Sequence, residues 1–448
     1  MSNESSITRK PISRRRFIRN AGLAAGAFTI VPRHVLGGTN YKAPSDKLNF
    51  AIIGIGGKGK TDARELNLEN IVALCDVDFG NKKVINVFNE YPNAKRYQDY
   101  RVMLDKEKNI DGVAIATPDH THAIISMHAM KMGKHVYCQK PLTQTIEEAQ
   151  LLRKTARRMN VATQMGNQGQ ASEERRRLEE IITDGAIGNV TEVHVWTNRP
   201  IWPQGIGRPS DHVSTPDDLD WDLWLGPAPE RPYNPAYHPF KWRGWWDFGT
   251  GALGDMGCHN IDPIFRALKL RYPLTVQATS TPVNKETYPS GSMVTYEFGA
   301  RGLLPPVTVT WYDGGLKPLR PVELEDGRQM GKQGTLYIGE KGKILDGRII
   351  PESKMKQYEM APKTIPRSPG HHIEWIQACK GDKPGGSNFD FAGPLTETVL
   401  LGNVALRMEL TDKMTRQKLH WDADKGQFSN LPEANEFIRR PYRQGWSL

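Results

Sequence analysis

The sequence predicts an α/β protein in which a doubly wound parallel sheet comes first and a second α/β domain built on an open sheet follows. Three observations carry this expectation. Short apolar runs at residues 50–53, 71–75, 112–116 and 135–138 alternate with helical segments, the pattern of strands buried on both faces and joined by crossover helices. The first run ends in Gly54-Ile55-Gly56-Gly57-Lys58-Gly59, and the second closes on Asp76. From about residue 166 the texture changes, and runs at 190–197, 274–280, 291–298, 307–311 and 334–338 read as strands of a separate open sheet.

Taken in chain order, the first 40 residues stand apart. Ser13-Arg14-Arg15-Arg16-Phe17-Ile18 precedes the modestly apolar stretch AGLAAGAFTIVP, which resembles a twin-arginine export signal and places the mature protein in the periplasm. The net charge of +10 suggests a nucleic-acid partner, yet seven basic residues against Glu4 account for +6 before residue 41. The body is only mildly basic and has no arginine stripe with interleaved aromatics, so no nucleic acid is expected as a partner. Beyond the first 40 residues no apolar run approaches the roughly 20 residues of a membrane span. Cys75, Cys138, Cys258 and Cys379 are widely spaced without a CxxC pair, and all four read as buried structural thiols.

The turn at 54–59 explains why glycine recurs there. The first two glycines permit a tight turn and close approach to a pyrophosphate, the third lets helix and strand pack closely, and amides at the helix start face the phosphates. Ile55, Gly57 and Lys58 belong to the same loop. Asp76, about 20 residues on, is placed to bond the adenosine ribose hydroxyls. The same carboxylate repels a 2′-phosphate, so the cofactor is NAD in preference to NADP. Thr117, His122, Gln139 and Lys140 follow the third and fourth strands, where a doubly wound sheet holds its ligand. Asn167 and Gln168, after a strand-like run, are placed near the nicotinamide or substrate.

In the second half a helix is expected over Glu173–Thr183. Residues 200–246 are rich in Pro, Gly and Trp and read as a long ordered loop, a kind of segment that inside an enzyme serves function. Seven of the eleven tryptophans fall within 196–246. Most should anchor the loop, and one or two of them, Trp242 or Trp246, are expected to touch a ligand through an aromatic face, with Arg243, Asp247 and His238 beside them for hydroxyl groups. Residues 254–262 read GDMGCHNID. On a helix Asp255 and His259 share one face four residues apart, with Asp262 three beyond. These three suit a catalytic pair, a metal site or a capped helix end. No HExxH or CxxC accompanies them, so no metal is expected and Asp262 takes a supporting place. His371 and His372 are read as cap or surface residues, and helices are expected around 372–380 and 394–410.

The glycine turn, the ATPxxxH segment from Ala116 to His122, the Lys140-Pro141 pair and the DxGxH segment from Asp255 to His259 together resemble the Gfo/Idh/MocA oxidoreductases across about residues 47–411. The resemblance implies a Rossmann domain over 47–167 and a C-terminal α/β domain over 168–448. The latter carries a large open, mostly antiparallel sheet through which a homo-oligomer forms. It implies an NAD-dependent dehydrogenase of a sugar or glycoside hydroxyl, with Lys140, Asp255 and His259 catalytic, and touching substrate with Trp242 and Trp246. Gln139 stands where the family has glutamate, which removes a carboxylate beside Lys140. Export further implies a tightly held cofactor, since the periplasm has no NAD pool to recycle. Two rivals stand beside this reading: a glycoside hydrolase or lyase that uses transient oxidation at C3 on the same scaffold, and a non-catalytic sugar-binding protein.

Overall fold

A computed structural model describes residues 46–410 and 417–448; the twin-arginine segment lies outside them. Six strands form the first sheet: β1 (Asn49–Ile53), β2 (Asn70–Cys75), β3 (Lys95–Tyr97), β4 (Gly112–Ile115), β5 (His135–Cys138) and β6 (Thr163–Met165). Their order is β3-β2-β1-β4-β5-β6 and every pairing is parallel. The reversal beside β1 opens a crevice at the carboxyl ends of the strands, because crossover helices leave β1 and β4 toward opposite faces. β1 and β4 are apolar and buried almost throughout, as a sheet covered on both sides requires.

The second sheet comprises β7 (Val190–Trp196), β8 (Thr275–Ser280), β9 (Ser292–Phe298), β10 (Val307–Tyr312), β11 (Gly334–Gly339), β12 (Lys343–Leu345), β13 (Arg348–Ile350), β14 (Leu419–Asp422) and β15 (Gln427–Phe428). They lie in the order β13-β12-β11-β7-β10-β9-β8-β14-β15. Only β7 and β10 run parallel; the other seven pairings are antiparallel. The sheet is therefore the open, mostly antiparallel one expected. β3, β6 and β12–β15 are two to four residues long, too short for a period-2 pattern to emerge from sequence.

The Glu173–Thr183 helix has the expected bounds, capped by Ser172. The late helices differ from expectation in an informative way. The second begins at Phe389, not Pro394, because Asn388 accepts a hydrogen bond from Asp390 N–H at 3.0 Å and caps it. Pro394 then lies inside the Phe389–Arg407 helix. This helix is buried over nearly its whole length and packs on the Ile146–Met159 and Gly251–Asn260 helices and on β8.

The His371–Cys379 helix corrects the surface assignment of His371 and His372, which are both buried. His372 stacks on Tyr137 of β5 with ring centroids 4.9 Å apart and presents Nε2 to Asp62 Oδ1 at 3.0 Å. Trp375, fully buried, stacks on Phe50 of β1 at 4.7 Å. A helix more than 200 positions downstream thus completes one face of the first sheet. Trp375→Ala is accordingly expected to cost about 3–5 kcal/mol, read as a lowered urea midpoint; an unchanged midpoint would deny this helix its part in the first core.

Candidate functional site

Two glycines of the turn are required by sterics. Gly54 has φ +84°, and a Cβ there would sit 2.8 Å from the backbone of Ala116 and Thr117. A Cβ on Gly59 would meet the Gly54 carbonyl oxygen at 2.2 Å, so only glycine lets the Lys58–Glu65 helix start against β1. Gly57, before the helix, has nothing within 4 Å of its Cβ position. That open space at a helix start fits a pyrophosphate.

A cavity of about 490 Å³ runs from this turn along the strand ends, and its walls include Gly54, Gly56, Gly57, Lys58, Asp76 and Thr117. Two residues of the turn assigned to it from sequence lie elsewhere. The Ile55 side chain is buried in the core under β1, and Gly59 packs beneath Gly54 rather than lining the cavity. Asp76 lines the cavity but also ties the turn in place. Its Oδ2 accepts hydrogen bonds from Ile55 N–H at 2.8 Å and Gly56 N–H at 3.1 Å, and its Oδ1 from Asp78 N–H.

At the β5 end the same cavity meets Lys140, Asp255, His259 and Trp242. Lys140 Nζ donates to Asp255 Oδ1 at 2.8 Å and to the Asp255 carbonyl at 2.7 Å. Arg243 Nε stands 3.4 Å from the same carboxylate oxygen. Burial pushes the Asp255 carboxyl up, but the Lys140 and Arg243 charges outweigh it and hold it below its ordinary value. The carboxylate facing the Lys140 ammonium is therefore Asp255. Gln139 instead donates to buried Asp62 at 2.7 Å, so the glutamine does not leave Lys140 without an acidic neighbour.

Asp255 and His259 lie on the Gly251–Asn260 helix and reach the cavity together. His259 departs from the titration near working pH expected of it. Burial, with the Lys140 and Arg175 charges, pushes it down to about 3, so it is neutral throughout the working range. His122 also touches the cavity, but its Nδ1 and Nε2 lie 2.7 and 2.8 Å from the carbonyls of Pro141 and Thr117. It clamps the two loops at the ends of β4 and β5.

Asn167 lies outside the cavity. It is fully buried and donates to Asp262 Oδ1 at 3.0 Å; its neighbour Gln168 reaches the wall instead. Asp262 faces Arg175 at 3.0 Å and Arg266 at 3.1 Å, a structural charge cluster. Trp246 is corrected as well. It is buried against Tyr288 with its Nε1 donating to the Asn284 carbonyl at 2.9 Å. Arg243 and His238 do line the cavity, while Asp247 is engaged by Arg231. Most of the tryptophans anchor the loop, with Trp224, Trp242 and Trp245 forming a small core with Tyr237 and Phe248. Cys75, Cys138 and Cys258 are buried and Cys379 partly so, all four free.

Sequence reasoning passed over Asp119, although it stands inside the ATPxxxH segment. It opens the Asp119–Lys131 helix, lines the cavity at 4 % exposure, and accepts a hydrogen bond from the Thr250 hydroxyl at 2.6 Å. Burial pushes its carboxyl up to about 7, against the pull of Thr250 and the Arg243 and Lys140 charges. Nothing in the local pattern announces this, since its burial and its Thr250 partner depend on packing with residues far away in sequence.

Residues 48–167 match the family model described as "Oxidoreductase family, NAD-binding Rossmann fold", and residues 189–448 match "Oxidoreductase family, C-terminal alpha/beta domain", both of the GFO/IDH/MocA type. The chain is 26% identical to glucose-6-phosphate 3-dehydrogenase of Bacillus subtilis over 146 residues, 33% of this chain and 41% of that one. It is 30% identical to inositol 2-dehydrogenase of Salmonella typhimurium over 156 residues, 33% of this chain and 45% of that one. The matched stretch thus spans less than half the length of these curated relatives. The fold resembles that of the WlbA dehydrogenase from Bordetella pertussis in complex with NADH and UDP-GlcNAcA. That likeness has a TM-score of 0.56 at 16% identity, covering 84% of this chain and 99% of that one.

The buried Asp119 makes a signed prediction. Its folded pKa lies above the unfolded value of about 3.9, so its favourable contribution is complete below pH 4 and is lost as pH rises through about 7. Asp119→Asn should therefore gain stability relative to the parent between pH 5 and pH 8 in urea titrations. An equal difference at both pH values would show that the carboxyl is not held protonated.

Proposed function

The chain belongs to the Gfo/Idh/MocA oxidoreductase family, and on that premise we propose that it is an NAD-dependent dehydrogenase of a sugar or glycoside hydroxyl, with C3 as the favoured position. The observation that carries the reading is the Lys140–Asp255 contact, which puts the end of β5, at the edge of the nucleotide crevice, against the helix that bears His259.

The glycine turn and Asp76 would hold NAD, which when bound supplies the hydride acceptor. His259, neutral at working pH, takes the substrate hydroxyl proton on a ring nitrogen. Lys140 donates to the same oxygen and stabilises the charge that develops there as the carbonyl forms. Asp255 keeps the Lys140 ammonium aimed into the cavity. Trp242 contributes to the wall beside the sugar ring, and the Arg243 guanidinium that lies over it at 4.2 Å offers a donor for a second hydroxyl. Support for a sugar comes from this set of donors, aromatic wall and base, and from the dehydrogenases the chain resembles.

The reading extends to the segment before residue 41, as a twin-arginine signal that delivers the protein to the periplasm with NAD retained. It extends also to a homo-oligomer formed through the half-buried face of the second sheet, where β9 alternates buried and partly exposed residues. One observation favours a second reading, cleavage of a glycoside after transient oxidation. Asp119 is a carboxyl pushed up to about 7 within the same cavity, able in its ionised form to take the proton from the carbon beside the new carbonyl in an elimination step.

Incubation with a glucoside deuterated at C3 tests both. Label on the nicotinamide with a 3-keto product is expected of the dehydrogenase; free aglycone without net NADH would move the assignment to cleavage. Lys140→Ala and His259→Ala should each lower turnover about 10²- to 10⁴-fold while NADH still binds. Full turnover in both would sink the proposed site.

A further inference from the structure

The cavity has a wall that the chemistry above does not use. Trp446, near the end of the described chain, lines it together with Gln98, Asp99, Tyr100, Ile124 and Leu223. Sheet order sets where this wall stands. Gln98 to Tyr100 follow β3, at one edge, whereas Lys140 follows β5, four strand spacings away, or about 19 Å at 4.7–4.9 Å per spacing. The glycine turn after β1 lies between them and Asp76 follows β2 on the Trp446 side. A dinucleotide with its pyrophosphate at the turn and its adenosine ribose by the acid directs adenine toward β3.

The segment carrying Trp446 is tied down along its length. Tyr442 donates from its hydroxyl to Glu148 at 2.6 Å, and Arg440 Nη2 donates to the His120 carbonyl at 2.6 Å. Arg443 donates to the Gly226 carbonyl at 3.1 Å and the Asp222 carbonyl at 3.0 Å, and pairs with the Asp222 carboxylate. Its own N–H reaches the Pro227 carbonyl, and Trp446 N–H turns back to the Arg443 carbonyl. The indole is then held by Arg101, whose guanidinium lies 4.7 Å from the ring centre and is itself paired to Asp99 at 2.7 Å.

We propose that the tied-down segment 440–446 is a strap that carries the Trp446 indole to the adenine end of the nucleotide crevice, as the wall against which the adenine base packs. The proposal rests on the NAD reading of the site and goes beyond it by assigning cofactor retention to a segment outside the first domain. Arg440 and Arg443 act as positioning residues that anchor the strap. A cofactor held in this way suits an enzyme that works where free NAD is absent.

The test compares ADP-ribose, which carries the adenine half, with nicotinamide mononucleotide, which lacks it, on the full chain by titration calorimetry. Trp446→Ala should weaken ADP-ribose about 5- to 100-fold, the range brought by loss of one base–aromatic stack, and leave the mononucleotide unchanged. Trp446→Phe should recover most of the affinity, and NADH release followed by fluorescence should speed up in the alanine variant alone. Equal ADP-ribose affinity in Trp446→Ala and the parent would overturn the strap. Failure of the parent to bind ADP-ribose or NADH at all would overturn the nucleotide reading, and the strap with it.

Discussion

The Lys140–Asp255 ion pair is the contact on which the rest of the site depends. Both side chains are about five-sixths buried, at 16 % and 15 % exposure, and a largely desolvated charge is tolerated only with an opposite charge and satisfied hydrogen bonds. Lys140 meets this condition through the carboxylate and carbonyl of one residue. Because Lys140 follows β5 and Asp255 lies on a helix of the second half, the pair joins the two halves at the site. The cavity is the space left beneath that closure.

Its electrostatics follow from the same crowding. Two cations, Lys140 and Arg243, press on Asp255 and keep it ionised, and Lys140 with Arg175 keeps the buried His259 neutral. Asp119, deeper and bonded to one hydroxyl, carries its proton near neutrality. Three groups that would titrate in order in water are thus spread over different ranges by burial and by one another. A neutral base, a fixed ammonium and a weak acid then coexist in one cavity.

Much of this was legible in the chain. Each strand of the first sheet that is buried on both faces shows as an apolar run, because no solvent-facing position interrupts it. The turn is visible as glycines because a Cβ at 54 or 59 would strike backbone. The DxGxH segment shows its pairing because four residues on a helix return to one face. Hidden were the features that depend on partners far away in sequence. His371, His372 and Trp375 lie in a segment that reads as ordinary helix, and only docking on β1 and β5 buries them. Asn167 and Trp246 were placed in the cavity by proximity to motifs, yet the direction of a side chain is set by what packs behind it, Asp262 in one case and Tyr288 in the other.

By itself the sequence determined the α/β alternation, the nucleotide turn with its acid, and the residue types able to move a proton and hold an oxygen, since all of these rest on local spacing and backbone sterics. Tertiary structure decided which of them face one another. It seated Asp255 rather than a neighbour at 139 against Lys140, lowered His259 and raised Asp119, and brought Trp446 to a wall some 345 positions from Arg101. Burial and charge proximity depend on three-dimensional packing, and no short window of sequence contains them.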